Sequence, residues 1–119
     1  MQDFQTLCQT RRSYRKYTNQ PVEQEKLDYI IRCALMSPAG KRMNPWHFVV
    51  IKNEEILRQL AGCRTYGSGM FDTAMAGIVV AADTSVIDTW QCDAAIAAQN
   101  IWLAAADQGL GACWCHVYQ

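Results

Sequence analysis

The stretch VIDTWQCDAAIAAQNIWLAAADQ, residues 86–108, decides the fold of this chain. It predicts one long helix from Val86 to Gln108, with Gly109 at the C-terminal cap position. The residues that share its predicted buried face are Trp90, Ala94, Ala97, Ile101, Ala104 and Ala105. Because small side chains let backbones approach closely, this helix should lie tight against another helix, a sheet or its copy in a dimer.

Shorter elements are predicted on either side of this helix from hydrophobic periodicity and turn residues. They are helices over Asp3–Gln9, Glu23–Met36 and Glu54–Ala61, and strands over His47–Ile51, Ala76–Ala82 and Gly111–Val117. Asp3 and Asn53 stand where helix caps are expected, and Phe4, Leu7 and Cys8 fall on one face of the first helix. The apolar run Ala76–Ala82 predicts a strand buried on both faces.

Composition indicates one ordinary globular domain over residues 1–119, since 50% of the residues are hydrophobic and no repeat or linker divides the chain. Eleven basic and eleven acidic residues give zero net charge, which argues against nucleic-acid and anionic-membrane binding. The start, Met1 to Phe4, has no signal-peptide character, so a soluble cytoplasmic protein is expected. Because Gln119 directly follows the last predicted strand, we expect a C-terminally incomplete domain.

Six cysteines are scattered singly through apolar stretches, which favours reduced and mostly buried thiols over a disulfide framework. Cys113, Cys115 and His116 raise the possibility of zinc. No second ligand pair stands at the usual spacing, and strand alternation would point His116 away from the two cysteines. We therefore predict no metal site, and nothing places a base beside a thiol for nucleophilic catalysis.

Three segments could bind a ligand. Arg11-Arg12-Ser13-Tyr14-Arg15-Lys16 offers guanidinium forks and a hydroxyl to an anion, although a solvated basic turn explains the run equally well. In the loop from Ser37 to Trp46, Asn44 and Arg42 could face a heteroaromatic edge, and Gly40 permits a left-handed turn after the helix; the alternative is an ordinary connection. In Gly109–His116, two glycines could admit a flat ligand close to the backbone.

Taken in order, these segments resemble the FMN-dependent nitroreductase family. The resemblance rests on Arg11–Arg15, on Ser37-Pro38 through Asn44-Pro45-Trp46-His47-Phe48-Val49-Val50, and on Ala97-Ala98-Gln99-Asn100 through Gly109–Trp114. It implies an α+β sandwich with a central, mainly antiparallel sheet flanked by helices. It also implies an intertwined homodimer with FMN at each of two sites between the subunits.

The resemblance assigns cofactor-binding roles by position. The FMN phosphate and the pyrimidine edge would be held by Arg11, Arg12, Ser13 and Arg15. The partner chain would contribute Pro38, Ala39, Gly40, Arg42 and Asn44, and the other side of the ring would be lined by Trp114, Cys115 and His116. Family members often carry serines and an asparagine where this chain has Ala39, Gly40 and Arg42, and Arg64–Gly69 matches no flavin-contacting pattern.

The resemblance also implies an activity. NAD(P)H would give hydride to flavin N5 and leave, and a nitroaromatic, quinone or similar small molecule would then be reduced in a ping-pong cycle. No side chain of the protein would act as the catalytic group. The alternatives are a non-catalytic flavin-binding or regulatory domain of the same fold and, more remotely, a small metal-binding module.

Overall fold

Two helices are followed by strands and helices in turn through residues 3–117, the part of the chain that the computed structural model describes. The elements are α1 (Phe4–Thr10), α2 (Gln24–Leu35), β1 (Trp46–Ile51), α3 (Glu54–Leu60), β2 (Gly77–Ala82) and α4 (Trp90–Asp107). Single 3₁₀ turns lie at Gly40–Arg42 and Gly69–Asp72. The expected α+β class is confirmed, and the bounds of α1 to α3 and of both strands lie within two residues of those predicted.

The helix α4 is the central element, since it packs against α1, α2, β1 and β2. Its Ala104 and Ala105 form the core with Ile30 of α2, and Ala97 is completely buried. Alanine side chains at these positions let the neighbouring backbones approach closely, as the sequence predicted.

The predicted start of this helix at Val86 is wrong, because α4 begins at Trp90. Asp83 accepts hydrogen bonds from the Ser85 amide (2.9 Å) and hydroxyl (2.6 Å), which also lower the pKa of the Asp83 carboxyl. Such a turn competes with helix formation by giving the backbone other partners.

The predicted caps form. Asp3 accepts from the Thr6 amide at 2.8 Å and Asn53 accepts from the Ile56 amide at 3.0 Å. At the end of α4, Gly109 adopts a φ of 76°, the Gly109 amide donates to the Ala106 carbonyl (3.0 Å) and the Leu110 amide donates to the Ala105 carbonyl (2.9 Å). This is a Schellman motif, which turns the chain sharply after the helix.

The strands β1 and β2 pair antiparallel, with Trp46 opposite Ala82 and Ile51 opposite Gly77. The prediction that the second strand is buried on both faces is wrong: Val79 is 40% exposed and Ala81 is also exposed. Within residues 3–117 the strand has β1 as its one sheet neighbour, and Ile78 packs toward α4 on the covered face. Side chains therefore alternate between a covered and an open face.

Two further predictions are wrong for the described residues. The segment Gly111–Val117 forms one parallel bridge, between Ser13 and Ala112, because no second strand lies beside it in residues 3–117; Tyr118 and Gln119 lie outside the described residues. Of the three residues predicted on one face of α1, Leu7 is buried, whereas Phe4 is 68% exposed and Cys8 is exposed. The thiols are not mostly buried: three are exposed and three are partly exposed.

No helix in residues 3–117 has both the length and the apolar character to cross a bilayer.

Replacing Leu57 with alanine should destabilise the fold. Leu57 is 1% exposed and packs beneath β2, where its Cδ2 lies close to Gly77, so the substitution leaves a cavity. We expect the free energy of unfolding in urea to fall by about 2–5 kcal/mol. The neighbouring Ile56→Ala removes an exposed side chain from the same helix and should cost far less; equal losses would contradict this packing.

Candidate functional site

The basic segment and the segment after α4 lie side by side. Ser13 bridges Ala112 in parallel, and the Tyr14 amide donates to the Ala112 carbonyl at 3.1 Å. A Cβ on Gly111 would lie 2.9 Å from the Tyr14 ring, so this close approach requires glycine. The first and third predicted ligand segments therefore meet within one chain.

The Arg11 guanidinium makes a cation–π contact with Trp102. Its guanidinium carbon lies 4.5 Å from the centre of a Trp102 ring on α4. The Trp102 indole Nε1 is buried and makes no hydrogen bond within residues 3–117. The cation–π contact orients the guanidinium without using any of its N–H donors, which remain available to an anion.

The other cations of the segment are exposed. One nitrogen of Arg12, Nη1, donates to the carbonyls of Gln9 (2.7 Å) and Arg11 (2.8 Å) at the end of α1. Arg15 and Lys16 are exposed, and no carboxylate of residues 3–117 forms an ion pair with this segment. The positive charge is therefore not neutralised locally, which suits an anionic ligand.

Tyr17 ties the end of the basic segment to its surroundings. Its amide donates to Thr73 Oγ1 at 3.0 Å, and its hydroxyl donates to the Tyr14 carbonyl. Burial, with a smaller contribution from the neighbouring Cys113 and opposition from Arg15, raises the pKa of Tyr17 to about 12. The phenol thus stays protonated and keeps its hydrogen bond at neutral pH.

The segment around Arg64–Gly69, which matched no flavin-contacting pattern, lies against the segment Gly109–His116. Arg64 Nη1 donates to the His116 carbonyl, and the Cys63 thiol lies beside the Cys115 thiol. Burial raises the pKa of Cys115, the Cys63 neighbour adds to the increase, and Arg64 opposes it. Trp114 is 42% exposed and His116 is exposed, so this edge of the molecule is open.

The loop after α2 is anchored to the first turns of α4. The Gly40 amide donates to Asp93 Oδ1 at 3.0 Å, and Thr89 Oγ1 donates to Asp93 Oδ2 at 3.1 Å. Three residues before Gly40, the Ser37 hydroxyl accepts a hydrogen bond from the side-chain amide Nδ2 of Asn100 at 2.8 Å. Asp93 is 3% exposed, so its carboxylate serves as a buried anchor for the loop.

The left-handed turn predicted at Gly40 is wrong. Positive φ values occur instead at Lys41 (52°), Arg42 (57°) and Asn44 (47°). Glycine is required at position 40 for space, since a Cβ there would lie 2.3 Å from Thr89 Oγ1. Strained backbone of this kind is commonly found in ligand-binding loops.

The second predicted segment does not meet the other two. Asp93 and Trp102 are two and a half turns apart on α4, which places them on opposite sides of the helix and separates them by about 13 Å along its axis. The loop that carries Pro38, Ala39, Gly40, Arg42 and Asn44 is held at Asp93, whereas Arg11 is held at Trp102. Within one chain, α4 stands between the two segments.

Sequence reasoning missed four contributors to this arrangement: Tyr17, Cys63, Asp93 and Trp102. Asp93 could have been found, since it stands four residues before Ala97 on the predicted buried stripe, where a lone carboxylate needs a partner. The sequence holds no signal for the others, because each acts through a residue distant in the chain. Within the described range, no group of three His, Cys, Asp or Glu side chains could hold a metal ion.

Comparison with known proteins places this arrangement in a family. The sequence profile of the nitroreductase family matches residues 8–63 and 63–119. The chain belongs to the nitroreductase family. Within it, the chain is 41% identical over 119 residues to a protein of Methanothermobacter thermautotrophicus provisionally named NADH dehydrogenase/NAD(P)H nitroreductase.

Solved nitroreductase structures share this fold. An FMN-dependent nitroreductase from Clostridium difficile R20291 superposes with a TM-score of 0.93 over 95% of this chain and 66% of its own, at 42% identity. A nitroreductase from Desulfovibrio desulfuricans, also provisionally named, was solved in complex with FMN and gives a TM-score of 0.84 at 26% identity over 98% of this chain and 70% of its own. The alignment with the Methanothermobacter protein includes 98% of this chain but spans only 62% of that relative.

Replacing Gly40 with alanine should loosen the loop from α4, because the new Cβ would displace Thr89 Oγ1 from Asp93. We expect the free energy of unfolding to fall by about 1–3 kcal/mol. Gly69→Ala, where nothing lies within 4 Å of the new Cβ, is the matched control. In a Thr89→Ala background the Gly40→Ala cost should shrink; an undiminished cost would contradict the proposed clash.

Proposed function

We propose that this chain forms an FMN-dependent oxidoreductase that accepts hydride from NAD(P)H and reduces nitroaromatic, quinone or similar small molecules in a ping-pong cycle. The observation that carries the proposal is the unpaired basic segment held beside residues 112–116 by the Ser13–Ala112 bridge. The names of the family members support it, since they include an FMN-dependent nitroreductase and an NAD(P)H nitroreductase.

The donor set of the basic segment fits a flavin phosphate. Arg11 keeps its N–H groups free over Trp102, and the Ser13 hydroxyl and Arg15 side chain are exposed on the same segment. Guanidinium forks bind phosphate oxygens through short charge-assisted hydrogen bonds. We assign the phosphate and the pyrimidine edge to Arg11, Arg12, Ser13 and Arg15, with Arg12 contributing the nitrogens that α1 does not use.

The ring side of the site is assigned to Trp114, Cys115 and His116. Their segment follows Ala112, which bridges Ser13 and accepts from the Tyr14 amide, so its backbone amides start beside the basic segment and can face a planar ligand held there. When bound there, FMN supplies the two-electron redox chemistry at N5. The residues of the chain bind and orient the ligand, and an arginine beside the ring stabilises negative charge on it.

The position of the loop supports a homodimeric site. Because α4 separates Gly40 from Arg11 within a chain, Pro38, Ala39, Gly40, Arg42 and Asn44 are available to a second copy rather than to the site of their own chain. Their anchor at Asp93 holds the strained backbone ready for that contact. We accordingly propose a homodimer with a site formed between the subunits, in a protein located in the cytoplasm.

The proposed activity is tested by two measurements on one preparation. The visible absorption spectrum and the chromophore released on denaturation should identify FMN near one equivalent per chain, and NAD(P)H should then be consumed steadily in the presence of a nitroaromatic or a quinone. Flavin that is bound but cannot be reduced by NAD(P)H would indicate the non-catalytic alternative. A protein that takes up no added FMN would overturn the assignment of the site.

Replacing Arg11 with alanine should weaken FMN binding by about 1.5–3 kcal/mol, because charge-assisted hydrogen bonds to the phosphate are lost. The dissociation constant can be measured by quenching of flavin fluorescence. Arg32→Ala, which removes an exposed arginine from the last turn of α2, is the matched control and should leave the constant unchanged. Unchanged affinity in Arg11→Ala would place the anion elsewhere.

The Trp102→Leu variant tests, in the same flavin-fluorescence assay, whether the Trp102 ring acts by orienting the Arg11 guanidinium. Loss of the indole ring should weaken FMN binding by about 0.5–2 kcal/mol in the parent protein. The same substitution should have little effect once Arg11 is already alanine. Additive losses would show that Trp102 acts independently of Arg11.

A further inference from the structure

Two of the six thiols are direct neighbours although 52 positions separate them in the sequence. The Cys63 thiol lies beside the Cys115 thiol, and the adjacent Arg64 donates from its side chain to the carbonyl of His116. These two contacts join consecutive residues of one segment to consecutive residues of the other. The two segments therefore lie against each other at this corner of the molecule.

The segment that carries Cys63 is held in place by its own hydrogen bonds. The Cys63 amide donates to the Leu60 carbonyl at 3.0 Å at the end of α3. Ser68, which is 1% exposed, donates its hydroxyl to the Ala61 carbonyl at 2.7 Å and accepts from the Arg64 amide at 3.3 Å. Residues on both sides of Cys63 are thus fixed, so its sulfur stays close to Cys115.

The two thiols differ in a way that suits stepwise oxidation. Cys63 is exposed and accessible to a small oxidant, whereas Cys115 is only partly exposed. Cys113, the other thiol of the terminal segment, donates to the Trp114 carbonyl with a sulfur–oxygen distance of 3.6 Å. Cys115 is therefore the thiol placed to react with an oxidised Cys63.

We propose that Cys63 and Cys115 form a reversible intramolecular disulfide and that this corner of the molecule is a peroxide-sensitive modification site. The Cys63 thiol loses its proton, and the thiolate attacks hydrogen peroxide, breaking the O–O bond to give a sulfenic acid and a hydroxide that takes up the proton to become water. The Cys115 sulfur then attacks the Cys63 sulfur, forming the S–S bond and releasing a second water. Two thiols and one peroxide give one disulfide and two waters, and a dithiol reductant reverses the reaction.

The cross-link fastens the 63–68 segment to residues 115–116, and it closes a long loop that includes β2 and α4. Such a closure restricts the unfolded chain more than the folded one. The oxidised protein should therefore have a higher Tm than the reduced protein. This inference does not depend on flavin binding or on the proposed activity.

The test is oxidation of the reduced, flavin-free chain with equimolar hydrogen peroxide, followed by alkylation of the remaining thiols and non-reducing peptide mapping. Chymotrypsin cuts after Trp114 and so separates Cys113 from Cys115. We expect two fewer alkylated cysteines, a peptide joining Cys63 to Cys115, monomeric mobility on a non-reducing gel and a Tm increase that dithiothreitol abolishes.

Matched variants make the outcome specific. Cys63→Ser changes an exposed side chain, so it should fold normally and lose both the cross-link and the Tm increase, whereas Cys92→Ser, at another exposed thiol, should keep them. Six alkylated cysteines after oxidation would overturn the proposal. A disulfide that uses Cys113, or one that joins two chains, would overturn it as well.

Discussion

Close packing of the alanine-rich face of α4 is the constraint on which the other elements depend. Ala97, Ala104 and Ala105 are buried against neighbouring elements, with Ile30 of α2 against the last two. Larger residues at these positions would push α2 and the sheet outward, because interiors packed to crystal-like density have no room for added methylenes. The helix is therefore a fixed axis, and each candidate ligand segment takes its position from a different contact with it.

Those contacts explain why the three segments divide as they do. Arg11 lies over Trp102 on one side of the helix, while Gly40 is bound to Asp93 on the other. The Schellman motif at Gly109 turns the chain back so that Ala112 reaches Ser13. Because the separation is set by the rigid helix, a ligand that contacts both the basic segment and the loop has to lie between two copies of the chain. This is the physical basis of the proposed dimeric site.

The sequence predicted those features that depend on neighbours close in the chain. The caps at Asp3 and Asn53, the end of α4 at Gly109 and the small-residue face follow from local hydrogen bonding and helical periodicity. Apart from the start of α4, which the local turn at Asp83 and Ser85 delays, the predictions that failed depend on distant residues. Val79 is exposed because β2 has one sheet neighbour in the described residues. The positive φ values lie at Lys41 and beyond, while the Gly40 amide is held by Asp93, 53 positions away in the chain.

In the candidate site, too, the sequence predicted what depends on neighbouring residues and missed what depends on distant ones. The residue types that bind an anion are visible as a run at Arg11–Lys16, and their order with the later segments carries the family resemblance. The supporting contacts are not visible in this way, since Trp102 and Cys63 approach their partners only after the chain has folded. A guanidinium that rests on an aromatic ring keeps its donors free, whereas one paired with a carboxylate does not. The capacity of the basic segment to bind an anion therefore depends on the Trp102 ring that orients Arg11 as well as on the positive charge of the segment.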